Sequence, residues 1–293
     1  MELTMYSYFA ETVREQGAAA AIEYAASHGF SSVELLEVVG GKRAPTFADV
    51  ASAERARALL EARGMRCACY SVAADLVVPL VQSGDYTAVL EALCAHVPIA
   101  AALGSRFFHH TICLNLNREV YLSLPPLEKI FDRVLEALCR VADACRSAGL
   151  ITLYEPQGYL ANGLENFGRI YSEMKRRGYP MGVCGDFANV LFANEDPAAF
   201  ARAYATEIRH VHVKDFATVA PDAVTRFKKF GTRAAGVQVA EFPLGEGGVD
   251  YGACFSALAA ADYRGAWALE CSYIDREAGF ARDLAWMRSH LLV

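Results

Sequence analysis

The sequence has no excess of positive charge. Its 293 residues include 28 Lys and Arg against 34 Asp and Glu, which gives a formal net charge of −6. Proteins that bind nucleic acid hold the phosphates with clustered Lys and Arg. The basic stretches here, KRR at 175–177 and KK at 228–229, are short. We therefore expect no nucleic-acid partner.

Long apolar runs are also missing. A membrane-spanning helix needs about 20 apolar residues, but the longest candidate, around 88–104, contains Glu91, His96 and Pro98. The opening MELTMYSYFAE has no basic stretch followed by an apolar core, so we predict no signal peptide. The nine cysteines are odd in number and lie mostly in apolar runs, so we expect reduced thiols, a cytoplasmic location and no membrane partner.

No glycine-rich dinucleotide loop follows the first predicted strand, and no linker divides the chain. Short apolar runs instead alternate with amphipathic helical stretches about eight times. The predicted strands are 3–9, 31–38, 65–72, 105–111, 150–155, 179–186, 207–215 and 266–270. The predicted helices are 13–29, 47–63, a long helical region ending at Gly104, one from after Pro126 to Ser147, 164–178, 197–206, one starting near Asp250, and 276–290.

This alternation predicts an α/β fold with parallel strands and right-handed crossovers. Eight such units predict closure into a single (β/α)8 TIM barrel, in one domain over 1–293. An open doubly wound sheet is the alternative, and the missing glycine-rich loop disfavours it. The longest irregular region is predicted at 216–248.

Four chemically suited residues end four of the predicted strands: Glu155 in ITLYE, Asp186 in MGVCGD, His212 in IRHVHV and Glu270 in AWALE. In an α/β barrel the downstream ends of all strands meet at one mouth. Three carboxylates and one imidazole there make an oxygen-rich site for a divalent cation. Each residue alone is equally explained as a helix cap or a surface charge, but their succession favours a metal site.

Three further stretches extend this pattern: HVHVKD (210–215), LGEGGVDYG (244–252) and YRGAWALE (263–270). With LYE and GVCGD before them, they resemble the xylose isomerase-like TIM-barrel superfamily of sugar isomerases and epimerases. That superfamily includes ketose 3-epimerases, hydroxypyruvate isomerases, inosose dehydratases, 3-keto-glycoside lyases and C-glycoside deglycosidases. The resemblance covers essentially the whole chain and is strongest from residue 150 onward.

The resemblance implies one divalent cation held by Glu155, Asp186, His212 and Glu270. The cation is expected to be Mn²⁺ or Mg²⁺, with Zn²⁺, Co²⁺ or Fe²⁺ left open. The resemblance also implies that Glu155 and Glu270 serve both as ligands and as the acid–base pair. Relatives that epimerise sugars commonly have His three residues after the metal-binding Asp, where this chain has Asn189. Ketose epimerases often have an Arg shortly after the metal-binding His, and the stretch here is VKDFATVA.

Several neighbouring residues are candidates for binding the substrate, each with a structural alternative. Glu34 lies near the mouth end of the second strand, with Glu37 as a competing choice. Of the adjacent His109 and His110, strand alternation turns one inward, and we assign His110 to the mouth. The other candidate substrate contacts are Gln157, Asn189 and Lys214. His210 shares a face with His212 and is expected to hydrogen-bond a metal ligand from behind.

These residues support a metal-dependent isomerase or epimerase that acts on a keto-sugar, polyol or sugar acid through a metal-stabilised enediolate. The same enediolate can instead expel a leaving group. The alternative is therefore a lyase or dehydratase, such as an inosose dehydratase, a 3-keto-glycoside lyase or a C-glycoside deglycosidase subunit. A non-catalytic sugar-binding relative is a third reading, disfavoured by the intact Glu155 and Glu270. We expect a small carbohydrate as substrate and a homo-oligomer, either dimer or tetramer.

Overall fold

The computed structural model describes residues 2–114, 117–225, 228–271 and 276–291. Its strands are β1 Glu2–Met5, β2 Ser32–Val38, β3 Arg66–Ala73, β4 Phe107–His110, β5 Ile151–Tyr154, β6 Met181–Asp186, β7 Ile208–Val213, β8 Asp215–Val219, β9 Lys229–Gly231, β10 Gln238–Phe242 and β11 Ala266–Leu269. Strands β1 to β7 and β11 pair in parallel and close into a barrel, in the order β1-β11-β7-β6-β5-β4-β3-β2. The predicted (β/α)8 barrel is confirmed.

Helices surround the barrel. They are α1 Phe9–Gln16, α2 Ala18–Ser27, α3 Val50–Ala62, α4 Val77–Ser83, α5 Thr87–Ala95, α6 Val97–Ala102, α7 Arg118–Ser123, α8 Leu127–Ser147, α9 Gly163–Arg176, α10 Phe187–Val190, α11 Pro197–Tyr204, α12 Tyr251–Ala260 and α13 Arg276–Leu291, with a 3₁₀ turn at Leu191–Ala193. Helix α8 shows why they pack: Val134, Leu138, Val141 and Cys145 recur every three or four residues and are buried on one face. None of the helices in the described ranges combines the length and hydropathy that crossing a bilayer requires.

Two predicted helical stretches are subdivided in the structure. The stretch predicted at 13–29 is broken at Gly17, whose φ of 87° lies in the left-handed region that glycine tolerates. The long region ending at Gly104 consists of the three helices α4, α5 and α6. Local breaks of this kind leave the order of strands and helices unchanged.

The prediction that segment 216–248 is irregular is wrong, because the segment contains β-strands. Strands β8, β10 and β9 form a three-stranded antiparallel sheet, separate from the barrel, with β10 in the centre. The segment begins directly after β7, so this sheet stands at the mouth end of the barrel. The Asp215 carboxylate anchors the return loop by accepting hydrogen bonds from the backbone N–H groups of Gly245 (3.0 Å), Gly247 (3.0 Å) and Val249 (3.3 Å).

Alternate residues of the barrel strands point inward and build the barrel interior. Cys69, Leu153 and Cys184 form a buried cluster there, and polar side chains lie nearer the mouth. The register shifts opposite Val33/Glu34, where β3 has the extra residue Ala68, and opposite Val183/Cys184, where β7 has the extra residue Arg209. Such bulges re-aim the side chains that follow in the bulged strand, and in β7 these include His210 and His212. All nine cysteines are free thiols, as predicted.

Candidate metal centre

The four residues predicted at strand ends converge at the mouth of the barrel. Glu155 follows β5, Asp186 ends β6, His212 lies in β7 and Glu270 follows β11. The His212 Nδ1 atom is 3.5 Å from Glu155 Oε2 and 3.3 Å from Glu270 Oε2. Ligand atoms of Asp186, His212 and Glu270 all lie within 4.8 Å of one another. The structure therefore brings these four side chains together, and their role as metal ligands stays a prediction.

A buried carboxylate fixes the orientation of His212. The Nε2 atom of His212 is 2.9 Å from Glu34 Oε1, while Glu34 Oε2 is 2.6 Å from His210 Nε2. With Nε2–H donating to Glu34, Nδ1 is the His212 nitrogen that faces the other carboxylates. Tyr6 stacks on the imidazole with the ring centroids 4.6 Å apart. Burial would lower the pKa of His212, but Cys184 and Glu34 hold it well above its ordinary value, so a cation that binds at Nδ1 would displace a proton.

This placement corrects two predicted roles. Glu34 was expected to contact substrate, but it is fully buried beneath His212 and bonds to two histidines and to Ser71. His210 bonds to Glu34 rather than directly to a predicted ligand. Burial alone would raise the pKa of Glu34, but the nearby His212 and His210 hold it well below its ordinary value. Glu34 is therefore a charged support under the centre.

The assignment of His110 to the mouth is wrong, and His109 takes that position. His109 Nδ1 hydrogen-bonds Ser71 Oγ at 2.9 Å, and His109 Nε2 lies 3.4 Å from Glu155 Oε1. His110 points to the outer side of β4, where its ring meets Tyr154 edge-on at 5.2 Å. Burial lowers the pKa of His110 to about 4, so this core imidazole is neutral.

Lys214 lies inside the carboxylate ring. Its Nζ atom is 2.7 Å from Asp186 Oδ2 and 3.0 Å from Glu270 Oε1. Burial disfavours its charge, but Asp186 and Glu270 hold the pKa of Lys214 above its ordinary value. Burial also raises the pKa of Asp186 to about 7, against the opposing effect of Lys214. Lys214 was predicted to contact substrate, and in the structure it neutralises part of the charge of the centre.

Gln157 and Asn189 form a polar pair beside the centre. The Asn189 side-chain amide donates to Gln157 Oε1, and the Asn189 backbone N–H donates to Asp186 Oδ1 at 3.0 Å. Both residues line the large cavity above the centre. Their contact with substrate stays a prediction.

The donor set fits a divalent cation. The buried side-chain atoms without a hydrogen bond include three at the centre: Asp186 Oδ2, Glu270 Oε2 and His109 Nε2. The first two are held only in ion pairs, Asp186 Oδ2 at 2.7 Å from Lys214 Nζ and Glu270 Oε2 at 3.3 Å from His212 Nδ1. Buried polar atoms are nearly always satisfied in folded proteins. Carboxylate oxygens gathered on the Nδ1 side of one imidazole are the arrangement that an oxygen-rich metal site needs.

Comparison with known proteins places the chain in a family. A sequence profile for the xylose isomerase-like TIM barrel matches residues 22–290. The chain belongs to this family. An inosose dehydratase of Geobacillus thermodenitrificans (strain NG80-2) is 26% identical over 146 residues. That match spans 49% of this chain and 47% of the relative, so the chain spans about half the length of the curated relative it matches.

Solved structures of other xylose isomerase-like barrels share the whole fold. The apo form of 3-keto-D-glucoside 4-epimerase, YcjR, from E. coli has a TM-score of 0.71 at 16% identity and covers 98% of both chains. The IolI protein with a bound zinc atom has a TM-score of 0.73 at 12% identity, covering 99% of this chain and 98% of its own. At these identities the similarity shows the fold alone.

Two residues that the sequence did not single out contribute to the centre of this xylose isomerase-like barrel: Tyr6, which stacks on His212, and Ser71, which bonds both His109 and Glu34. Ser71 has a sequence signal, because it lies two residues after Cys69 and so shares its inward face. Tyr6 follows the last residue of β1, and no charge or motif marks it.

We expect Glu34→Gln to weaken Mn²⁺ binding by about 10- to 100-fold, the usual effect of losing a carboxylate that orients a ligating histidine. The neutral amide keeps the shape of the side chain, but it no longer favours one tautomer of His212. Calorimetric Mn²⁺ titration measures the change.

Glu37→Gln is the matched control, because Glu37 is a buried glutamate of the same strand that pairs with Arg14 instead. Unfolding temperatures of the metal-free variants detect any general loss of folding. Equal losses of Mn²⁺ affinity in both variants would contradict the role given to Glu34.

Proposed function

We propose that this protein is a divalent-metal-dependent sugar isomerase or epimerase acting on a keto-sugar, polyol or sugar acid. In this proposal Glu155, Asp186, His212 and Glu270 hold one cation, and Glu155 and Glu270 move the substrate proton. The observation that carries it is the convergence of these three carboxylates on the Nδ1 side of His212, below a large cavity.

Mn²⁺ or Mg²⁺ is the proposed cation, because hard oxygen donors dominate the set. A structural relative holds zinc and another, from Mycobacterium smegmatis, is a complex with magnesium. When bound, such a cation supplies Lewis-acid polarisation of a carbonyl and orients the substrate.

Glu155 and Glu270 stand on either side of His212 and can act from two directions. Burial raises their pKa values, but His109 acts against this on Glu155 and Lys214 on Glu270, so both pKa values lie below the ordinary range. Either carboxylate can therefore accept the proton next to a carbonyl. Isomerisation returns that proton to the neighbouring carbon. Epimerisation delivers a proton from the opposite face, so the second glutamate must first take up a proton from solvent.

A lyase or dehydratase using the same site is the second candidate. The matched inosose dehydratase favours it, as does the Asn189–Gln157 pair, which takes the place where relatives that epimerise sugars commonly have histidine. An amide can hydrogen-bond a hydroxyl but does not exchange protons usefully. After the first proton is removed, the enediolate would then lose its leaving group rather than accept a proton from that side.

Metal analysis of the purified protein and a mass-resolved screen in D₂O test the proposal. The probes are keto-sugars, inososes and 3-keto-glycosides. An isomerase or epimerase gives a product of unchanged composition that contains solvent deuterium, and the activity should disappear with a chelator and return with Mn²⁺ or Mg²⁺. A product of lower mass would favour the lyase, and the absence of any conversion or exchange would contradict both.

We further propose a single domain over 1–293, a cytoplasmic location, a homo-oligomer and no nucleic-acid partner. These proposals rest on the composition and the family. Light scattering of the purified protein tests the subunit count.

A further inference from the structure

The cavity above the centre is much larger than a monosaccharide. Its volume is about 680 Å³, whereas a hexose fills only roughly 200 Å³ at ordinary packing density. Glu270, Lys214, Gln157 and Asn189 line its polar end, next to the metal centre. A sugar ring bound there would leave most of the cavity unfilled, so the rest of the cavity needs an explanation.

An aromatic cluster forms one wall of the remaining space. Phe192, Phe216 and Phe230 contact one another, with ring centroids 5.5 to 6.1 Å apart. Phe192 and Phe216 are buried, and Phe230 is half-buried and therefore the outermost. All three line the cavity. We call these three residues the phenylalanine wall.

The small antiparallel sheet holds this wall in place. Phe216 belongs to β8 and Phe230 to β9, and the central strand β10 pairs with both. The Tyr159 hydroxyl also donates to Gly231 O at 2.8 Å. A rigid aromatic surface contributes contact area at little cost in side-chain entropy, and it suits another ring or an apolar group.

The opposite wall is charged but internally paired. Arg14 lies 2.9 Å from Glu37, and Arg43 lies 3.3 Å from Glu11. Lys42 is exposed at the surface, where solvent screens its charge. A phosphate group would have to compete with Glu11 and Glu37 for the arginines. The cavity therefore favours an uncharged second group.

We propose that the substrate is a glycoside whose sugar ring carries a carbonyl and whose aglycone is aromatic and uncharged; the aglycone packs against the phenylalanine wall while the sugar ring occupies the polar end. The position of the sugar ring rests on the proposed function. The aromatic subsite rests on the shape, packing and charge of the cavity.

Calorimetry on the metal-loaded protein tests this, with 4-nitrophenyl and methyl glycosides of glucose and galactose and with glucose 6-phosphate as probes. We expect an aryl glycoside to bind at least about tenfold more tightly than the corresponding methyl glycoside. Phe230→Ala should remove this preference by weakening aryl binding about tenfold, with little effect on the methyl glycoside. Phe230→Leu, which keeps an apolar side chain at this position, should lose part of the preference.

The control is Phe255→Ala. Phe255 is a half-buried residue of α12 whose ring packs against Tyr251 and Trp267, and it does not line the cavity. It should keep the aryl preference. Equal binding of aryl and methyl glycosides, no binding of any glycoside, tightest binding of glucose 6-phosphate, or an unaltered preference in Phe230→Ala would each overturn the inference. Because these measurements need no turnover, an aryl preference without deuterium exchange would contradict the proposed function alone.

Discussion

Glu155→Gln and Glu270→Gln are each expected to slow the exchange of solvent deuterium into product by about 100- to 10,000-fold. Glutamine keeps the shape of the side chain but cannot accept the substrate proton at neutral pH. Glu155 follows β5 and Glu270 follows β11, strands on opposite sides of β7, so neither is placed to substitute for the other from its own side. Mass spectrometry of the product, measured against time in D₂O, gives the rates.

Both glutamates are also proposed metal ligands, so the loss has to be separated from loss of the cation. Rates are compared at saturating Mn²⁺, with the metal content of each variant measured. If excess Mn²⁺ restores the wild-type rate, the acid–base role is wrong and only the ligand role stands. Glu207→Gln is the control, because Glu207 precedes β7 at the opposite end of the barrel, where it pairs with Lys175.

The sequence predicts the barrel and the convergence of the four strand-end residues because both depend on one rule. In a closed parallel barrel every strand finishes at the same rim, so the order of Glu155, Asp186, His212 and Glu270 along the chain carries their spatial grouping. The exact helix boundaries do not affect this rule. Splitting the predicted helix 13–29 at Gly17 therefore changes nothing at the site.

Which face of a strand a residue occupies is harder to predict. Strand β4 reads FFHH, so hydrophobic alternation gives no contrast between its two faces. The choice of His110 over His109 failed for that reason. In β3 the extra residue Ala68 interrupts the pairing with β2, so a phase counted from the start of β3 is unreliable beyond it.

The environment of Lys214 depends on three strands at once. Lys214 follows β7. Its partner Asp186 is the last residue of β6, and its partner Glu270 follows β11. No local pattern contains that combination. The antiparallel sheet of β8, β10 and β9 was missed for a similar reason. Strand β9 has only three residues and is recognisable as a strand only through its pairing with β10.

The second large effect is expected in stability rather than catalysis. His110 is buried between Tyr154 and Phe108, and burial lowers its pKa to about 4. In the unfolded chain the pKa of His110 is near 6.5, so between pH 4 and 6.5 this histidine binds more protons in the unfolded chain than in the folded one. The contribution of His110 is therefore complete above about pH 6.5 and is lost as the pH falls towards 4. On acidification from pH 7 to pH 5, the loss of this contribution should lower the free energy of unfolding by about 2 kcal/mol.

Urea titrations of wild type and His110→Leu at pH 7 and pH 5 measure this contribution. The variant forfeits the hydrogen bond of His110 to Thr111 O at both pH values. It should nevertheless lose about 2 kcal/mol less than wild type on acidification, because leucine has no proton to bind. Phe108→Leu, a neighbouring core change without a titrating group, should lose as much as wild type. Parallel losses in wild type and His110→Leu would mean that His110 binds its proton equally well in the folded and the unfolded chain, which would contradict the lowered pKa.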